Sequence, residues 1–278
     1  MPSRSRSRWL AGIALCVAIF SSSLALAASD SLAPVVGDLH TYGSAPSEFG
    51  RVWIPEGGSS APIVVLLHGG FWRRRGGDLS LMSPMAERLF DEGFAVWNVE
   101  YGRIGESLGG WPHTFEHITN ALAYLPTLHA QYSMRSNDVV VVGHSAGGHL
   151  SLWSSSRVDN QRAPIVGVVA LAPIVDLELA ADERLGNGAV VDLLGGSPRD
   201  VPAIYEQASI ALPLTVPALI LTSDADDDVP AAHSRGIQGS MVRTVELEHV
   251  SHIDLIAPQG AAVDEIVTFL QRISPGRE

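Results

Sequence analysis

The sequence predicts one α/β domain built on a doubly wound, mostly parallel sheet with helices on both faces. Short apolar runs alternate with stretches of helical spacing from about residue 51 to residue 273. Several of the runs are apolar at every position, which suits strands covered on both faces. Strands alternating with helices pair in parallel through right-handed crossovers. Ligands in such sheets bind beyond the carboxyl ends of the strands.

The elements follow in order. Residues 1–27 read as an export signal. Arg4, Arg6 and Arg8 give a positive start, Trp9 to Phe20 is apolar, and Ala25-Leu26-Ala27 offers a cleavage site. The alternative is an uncleaved anchor, because the apolar run from Trp9 to Ala28 is long enough to span a bilayer. Residues 28–47 are rich in Pro, Gly, Ser and Ala and read as a flexible lead-in, with the folded domain over 48–278. Arg51 to Ile54 is a short strand ended by Pro55, and Ile63 to Leu67 is a buried strand. Met82 to Glu92 is helical and stops before Gly93. Phe94 to Val99 is the next strand. Thr114 to Gln131 is a helix with Phe115, Ile118, Leu122 and Leu125 on one side, and a disturbance is expected at Pro126. A strand at Val139 to Val142 leads into a helix at Ala146 to Ser156. Ile165 to Leu171 and Ala218 to Thr222 are further buried strands, Val242 to Leu247 is edge-like, and Val263 to Ile273 closes the chain as a helix.

Composition narrows the function. The chain has 278 residues, 46% of them hydrophobic and 17% charged, which suits one large domain with a substantial core. The formal net charge of −12 leaves no electrostatic footprint for nucleic acid or for an anionic membrane surface. Removing residues 1–27 takes away three arginines and no acids, so the remainder carries −15. It also removes Cys16, the only cysteine. Such a mature chain has no disulfide, no cysteine nucleophile and no cysteine-ligated metal.

The strongest chemical signal is Gly143-His144-Ser145-Ala146-Gly147. Four valines precede it and a helical stretch follows. This is the strand, sharp turn and helix that present a nucleophilic serine at a helix N-terminus. A helix N-cap is the bland alternative for Ser145. His68-Gly69-Gly70-Phe71-Trp72 directly follows a strand. Its backbone N–H groups, at Gly69, Gly70 or Phe71, pair in expectation with that of Ala146 to form an oxyanion hole. A histidine base is expected after the last strand, where His249 and His252 lie. His252 is preferred, because a polar turn precedes it and an apolar stretch follows. The orienting acid comes from the loop after the Ala218 strand, where spacing leaves Asp224, Asp226, Asp227 and Asp228 open. A cation site is the alternative for that cluster. Trp72 is expected to contact substrate. Phe71 and Trp111 are more ordinary core candidates, and Arg73, Arg74 and Arg75 either steer a substrate carboxylate or form a solvated loop.

These residues resemble the prolyl-oligopeptidase-like and kynurenine-formamidase-like branch of the α/β-hydrolase superfamily, which includes bifunctional feruloyl and acetyl-xylan (BD-FAE-type) esterases. The likeness runs from about Arg51 to Pro258. It is carried by His68-Gly-Gly-Phe-Trp72, Asn98-Val-Glu-Tyr101, Gly110-Trp-Pro-His-Thr-Phe115, Gly143-His-Ser-Ala-Gly-Gly-His-Leu150, Leu194-Gly-Gly-Ser-Pro198 and His252-Ile-Asp-Leu-Ile256. It implies acyl transfer through a covalent intermediate with a Ser-Asp-His order. In the family pattern the catalytic Asp stands four residues before a Pro, and Pro230 then selects Asp226. Ser223 stands where Gly is usual, and Asp228 where an apolar residue is common. The resemblance supports His252 as base. The implied function is hydrolysis of a small carboxylic ester by an exported enzyme without metal or cofactor. Amide hydrolysis of the kynurenine formamidase type is one alternative, and a catalytically silent binding fold is another. Oligomeric state is not specified by the sequence.

Overall fold

The computed structural model describes residues 37–159, 161 and 164–274. The expected signal segment, 1–27, lies outside the described residues. Eight strands form one sheet: β1 (Asp38–Thr41), β2 (Phe49–Trp53), β3 (Ile63–Leu67), β4 (Val96–Val99), β5 (Val139–His144), β6 (Ile165–Leu171), β7 (Ala218–Ser223) and β8 (Val242–Leu247). Their spatial order is β1-β2-β4-β3-β5-β6-β7-β8. β1 and β2 are antiparallel to their neighbours, and β3 to β8 pair in parallel. Every residue of β3 and β5 is buried. Successive side chains of a strand point to opposite faces, so complete burial means that both faces are covered.

Part of the expected lead-in is structured. Residues 38–41 form β1, which pairs with β2 in the register Asp38↔Val52 to Thr41↔Phe49. The expectation of a flexible segment up to residue 47 is therefore corrected over 37–47. Tyr42 anchors this stretch: its hydroxyl donates to the Glu100 carbonyl at 2.5 Å.

The helices are α1 (Ser83–Asp91), α2 (His113–Gln131), α3 (Ala146–Arg157), α4 (Leu177–Asp182), α5 (Leu185–Leu194), α6 (Pro202–Ala208) and α7 (Ala261–Ile273). α2 runs unbroken past Pro126, contrary to expectation. Phe115, Ile118, Leu122 and Leu125 are all buried in the core, and this packing holds the helix despite the lost N–H donor. The excursion between β6 and β7 folds as α4, α5 and α6. These three helices had no clear counterpart in the sequence pattern.

Sheet order places the functional residues. β5 lies at the centre with α3 behind it, while β7 and β8 end on the same side of the sheet as neighbours. The loops after β3, β5, β7 and β8 thus meet at one carboxyl edge.

Candidate active site

Ser145 sits between β5 and α3 with φ 56° and ψ −118°. A non-glycine residue in this region is strained, and such strain persists only where the surroundings enforce it. Here they do. The Ser145 N–H donates to the Leu171 carbonyl at 2.7 Å. A Cβ on Gly143 would lie 2.0 Å from the Gly147 carbonyl oxygen, and one on Gly147 would lie 2.2 Å from that of Leu67. Both motif glycines are therefore required by close backbone approach. Ala146 is the first residue of α3, so its N–H has no partner within the helix.

The acid and the histidine meet across β7 and β8. Asp226 is buried, and its Oδ1 accepts the N–H groups of Val229 at 2.8 Å and Asp228 at 3.0 Å. His252 Nδ1 donates to Asp226 Oδ2 at 2.7 Å. Burial pushes the Asp226 carboxyl up, but the bonds from His252, Val229 and Asp228 outweigh it and hold the group below its ordinary value. This bond leaves Nε2 as the open nitrogen of His252, and no protein group engages it among the described residues. Asp224 and His249 form a separate, exposed pair: Asp224 Oδ1 accepts the His249 N–H at 2.6 Å, and the His249 side chain is 87% exposed. Of the four aspartates left open by spacing, Asp226 is the one bonded to His252, while Asp228 lines the same cleft.

Ser145 and His252 line one cleft of about 230 Å³, together with Gly70, Phe71, Leu81 and His144. His144 was missed as a site residue by sequence reading. It is the variable residue before the serine, on the buried end of β5, and spacing gives it no signal. Its ring lies 4.4 Å from that of His252, and its Nε2 donates to the His252 carbonyl at 3.0 Å.

The Gly69–Gly70 loop crosses directly over the serine. A Cβ on Gly69 would come 3.1 Å from Ser145 Cβ. The chain then turns through positive φ at Gly70, Phe71 and Trp72, closed by a bond from Arg73 N–H to the Gly70 carbonyl at 2.9 Å. This turn separates the two aromatics. Phe71 lines the cleft. Trp72, expected to contact substrate, is instead fully buried, edge-on to His149. That expectation is corrected: Trp72 is absent from the lining of the Ser145 cleft, and Phe71 is the aromatic that faces the site.

The arginine run divides as well. Arg73 donates to the carbonyls of Gly186 at 2.6 Å and Asn187 at 3.2 Å, and pairs with Asp192 at 2.5 Å. It clamps the left-handed stretch Gly186–Gly188 of α5 beside Phe71. Arg75 and Arg184 line a neighbouring cleft of about 530 Å³ that shares Gly70, Phe71, Gly76 and Asp228 with the first. Among the described residues, no three His, Cys, Asp or Glu side chains are grouped to hold a metal ion.

The family model named BD-FAE matches residues 52–241, more than half of the chain and all of its central strands. The chain belongs to the BD-FAE family. No sequence match is found among curated proteins. Solved structures share the fold of this BD-FAE chain. A bifunctional GH43-CE of Bacteroides eggerthii aligns with TM-score 0.71 and 16% identity over 84% of this chain. This chain spans only 34% of that protein's length. A truncated carbohydrate esterase from gut microbiota aligns with TM-score 0.71 and 18% identity, over 87% of this chain and 98% of that one. Esterase B of Lactobacillus rhamnosis gives TM-score 0.71 and 18% identity, with 87% of each chain covered.

Proposed function

We propose that this chain is a serine esterase that cleaves carboxylic esters through an acyl-enzyme. The single observation that carries the reading is the 2.7 Å bond from His252 Nδ1 to buried Asp226, with Ser145 in the same cleft. His252 Nε2 takes the proton of Ser145 Oγ as the oxygen attacks the ester carbonyl. Asp226 keeps the proton on Nδ1 and stabilises the imidazolium that forms. The N–H groups of Ala146 and of the Gly69–Gly70 loop receive the oxyanion. His252 then protonates the departing alkoxide, and water attacks the acyl-serine by the same route to release the acid.

The cleft volume of about 230 Å³ beside Ser145 suits a short acyl group. The adjoining cleft, with Arg75, Arg184, Asn187 and Asp227, suits a hydrophilic alcohol. Carbohydrate esterase activity in a protein of the same fold agrees with that reading. The n-h-c order of residues 1–27 supports an exported enzyme.

The test is the initial rate of residues 28–278 on a short-chain aryl ester, beside Ser145→Ala. Wild-type turnover that falls by several orders of magnitude in the variant supports the reading. Equal inactivity, together with no labelling of Ser145 by a serine-reactive phosphonate, rejects it in favour of a silent hydrolase fold.

A further inference from the structure

His68 follows β3 and is 0% exposed. Its Nδ1 lies 2.7 Å from the carbonyl oxygen of the very next residue, Gly69. A carbonyl only accepts, so Nδ1 carries a proton and donates it. The other ring nitrogen, Nε2, lies 3.0 Å from Glu100 Oε1. The ring stacks on Tyr101 at 4.2 Å and 8°, and the Tyr101 hydroxyl donates to the His68 carbonyl at 2.7 Å. Glu100 is itself fixed. Its Oε2 accepts the Leu79 N–H at 3.0 Å, its Oε1 accepts the Tyr101 N–H at 3.0 Å, and Arg103 Nε stands 3.5 Å from Oε1. Arg103 also donates to the Gly77 carbonyl, at the far end of the same loop.

Burying a carboxylate against a histidine is weak evidence for stability, because desolvation offsets most of the attraction. The geometry assigns the pair another task. The Gly69–Gly70 peptide is trans, so its C=O and N–H point in opposite directions. With the Gly69 carbonyl held by His68, the Gly70 N–H must face away from the imidazole. The next peptide is held in the same manner, since the Gly70 carbonyl accepts from Arg73 N–H at 2.9 Å. Neither the Gly70 nor the Phe71 N–H has a protein acceptor among the described residues, and both residues line the Ser145 cleft. We infer that His68, locked in orientation by Glu100, is a positioning residue that sets the plane of the Gly69–Gly70 peptide and aims its N–H at the substrate oxygen. The inference rests on Ser145 being the nucleophile.

The test uses two variants. His68→Phe keeps an aromatic ring against Tyr101 and removes the Nδ1 donor. Glu100→Gln keeps the shape of the side chain and removes its charge. Each is assayed on an aryl ester and on the matching thionoester, whose sulfur accepts hydrogen bonds poorly and so gains little from an oxyanion hole. Loss of one oxyanion donor costs about 10²- to 10³-fold in kcat. His68→Phe should lose about 10²-fold in kcat on the ester with little change in KM, and lose far less on the thionoester, so the ester-to-thionoester ratio collapses. Glu100→Gln should move the same ratio in the same direction by a smaller factor. If His68→Phe does not fold, judged by its thermal transition, Glu100→Gln carries the test alone. Wild-type kcat and ratio in both folded variants overturn the inference, and so does a fall in kcat that is equal on both substrates, which marks a general packing defect. Failure of the parent reading looks different: wild type and Ser145→Ala are then equally inactive, and the inference falls with it.

Discussion

His144 and His252 stand ring to ring at 4.4 Å, and the first holds the second by its backbone: His144 Nε2 donates to the His252 carbonyl. His252 is thus fixed at both ends, by Asp226 at its Nδ1 and by His144 at its main chain. Replacing His144 with Ala removes the second tether while leaving Ser145, Asp226 and His252 in place. The expected result is a fall in kcat of about tenfold or more with KM little changed, as for loss of geometry in the transition state. Steady-state kinetics on an aryl ester decide it. A kcat equal to wild type would mean that Asp226 alone positions the base.

Asp226 is the only acid of its loop bonded to His252. Asp226→Asn should lower kcat by about 10²- to 10⁴-fold, because the amide stabilises the wrong tautomer of the histidine. Asp224→Asn, in the exposed pair with His249, should stay within a few-fold of wild type. A larger loss in Asp228→Asn than in Asp226→Asn would move the acid to the other residue.

The strain at Ser145 predicts a gain in stability when it is relieved. Ser145→Gly should melt above Ser145→Ala, since alanine keeps the Cβ that makes φ 56° costly. The difference should be about 1 kcal/mol or more, or about 2–4 °C in Tm for a domain of this size. Calorimetry of the two inactive variants checks this, and a Ser145→Gly that melts below Ser145→Ala would show that the strain relieved is smaller than the entropy glycine adds to the unfolded chain.

Buried histidines set the response to acid: burial lowers His117, His129, His144 and His149, and the last two are displaced furthest. Burial first, and the neighbouring His252 second, push His144 down from 6.5 to about 3. Burial pushes His149 down from 6.5 to about 4. Between 6.5 and those values the unfolded chain binds protons that the native chain does not, so stability falls as pH falls through that window. Asp226 acts in the same direction lower down: its folded value is depressed, and its contribution is lost on acidification. Tm should therefore drop steadily from pH 6.5 to pH 4. In His149→Phe the slope over that range should be shallower, even if the lost bond to the Ala208 carbonyl lowers Tm at neutral pH. An unchanged slope would remove His149 from the account.

The parts of this molecule that sequence makes legible share one property: their pattern is local and strong. Ile63–Leu67 and Val139–Val142 are apolar at every position because neighbouring strands and helices cover both faces. The Gly-x-Ser-x-Gly turn is legible because two carbonyl oxygens approach too closely for any Cβ. Pairing of His252 with Asp226 rather than Asp224 depends on how the loops after β7 and β8 fold together, and spacing leaves four aspartates equivalent. The division between Phe71 and Trp72 is illegible for a similar reason, since only the left-handed turn decides which ring faces the cleft. The helices α4, α5 and α6 are hidden because none has enough turns to build a clear periodic face, and α5 begins in left-handed backbone. β1 is hidden because its four residues, Asp38–Thr41, three of them exposed, carry no apolar run.

The order of the strands gives the enzyme two separate clocks. Ser145 hangs from β5, in the middle of the sheet, where every strand residue is buried. His252 follows β8, an edge strand, which has no fully buried residue and only β7 beside it. Fraying proceeds from edges with few apolar contacts inward. With His252 as the proposed base, warming should release it from its partners while the central sheet is still intact, so that activity is lost before the global unfolding transition. Activity lost in that first stage should return on cooling, since only the edge strand and the loop after it have to be laid back in place.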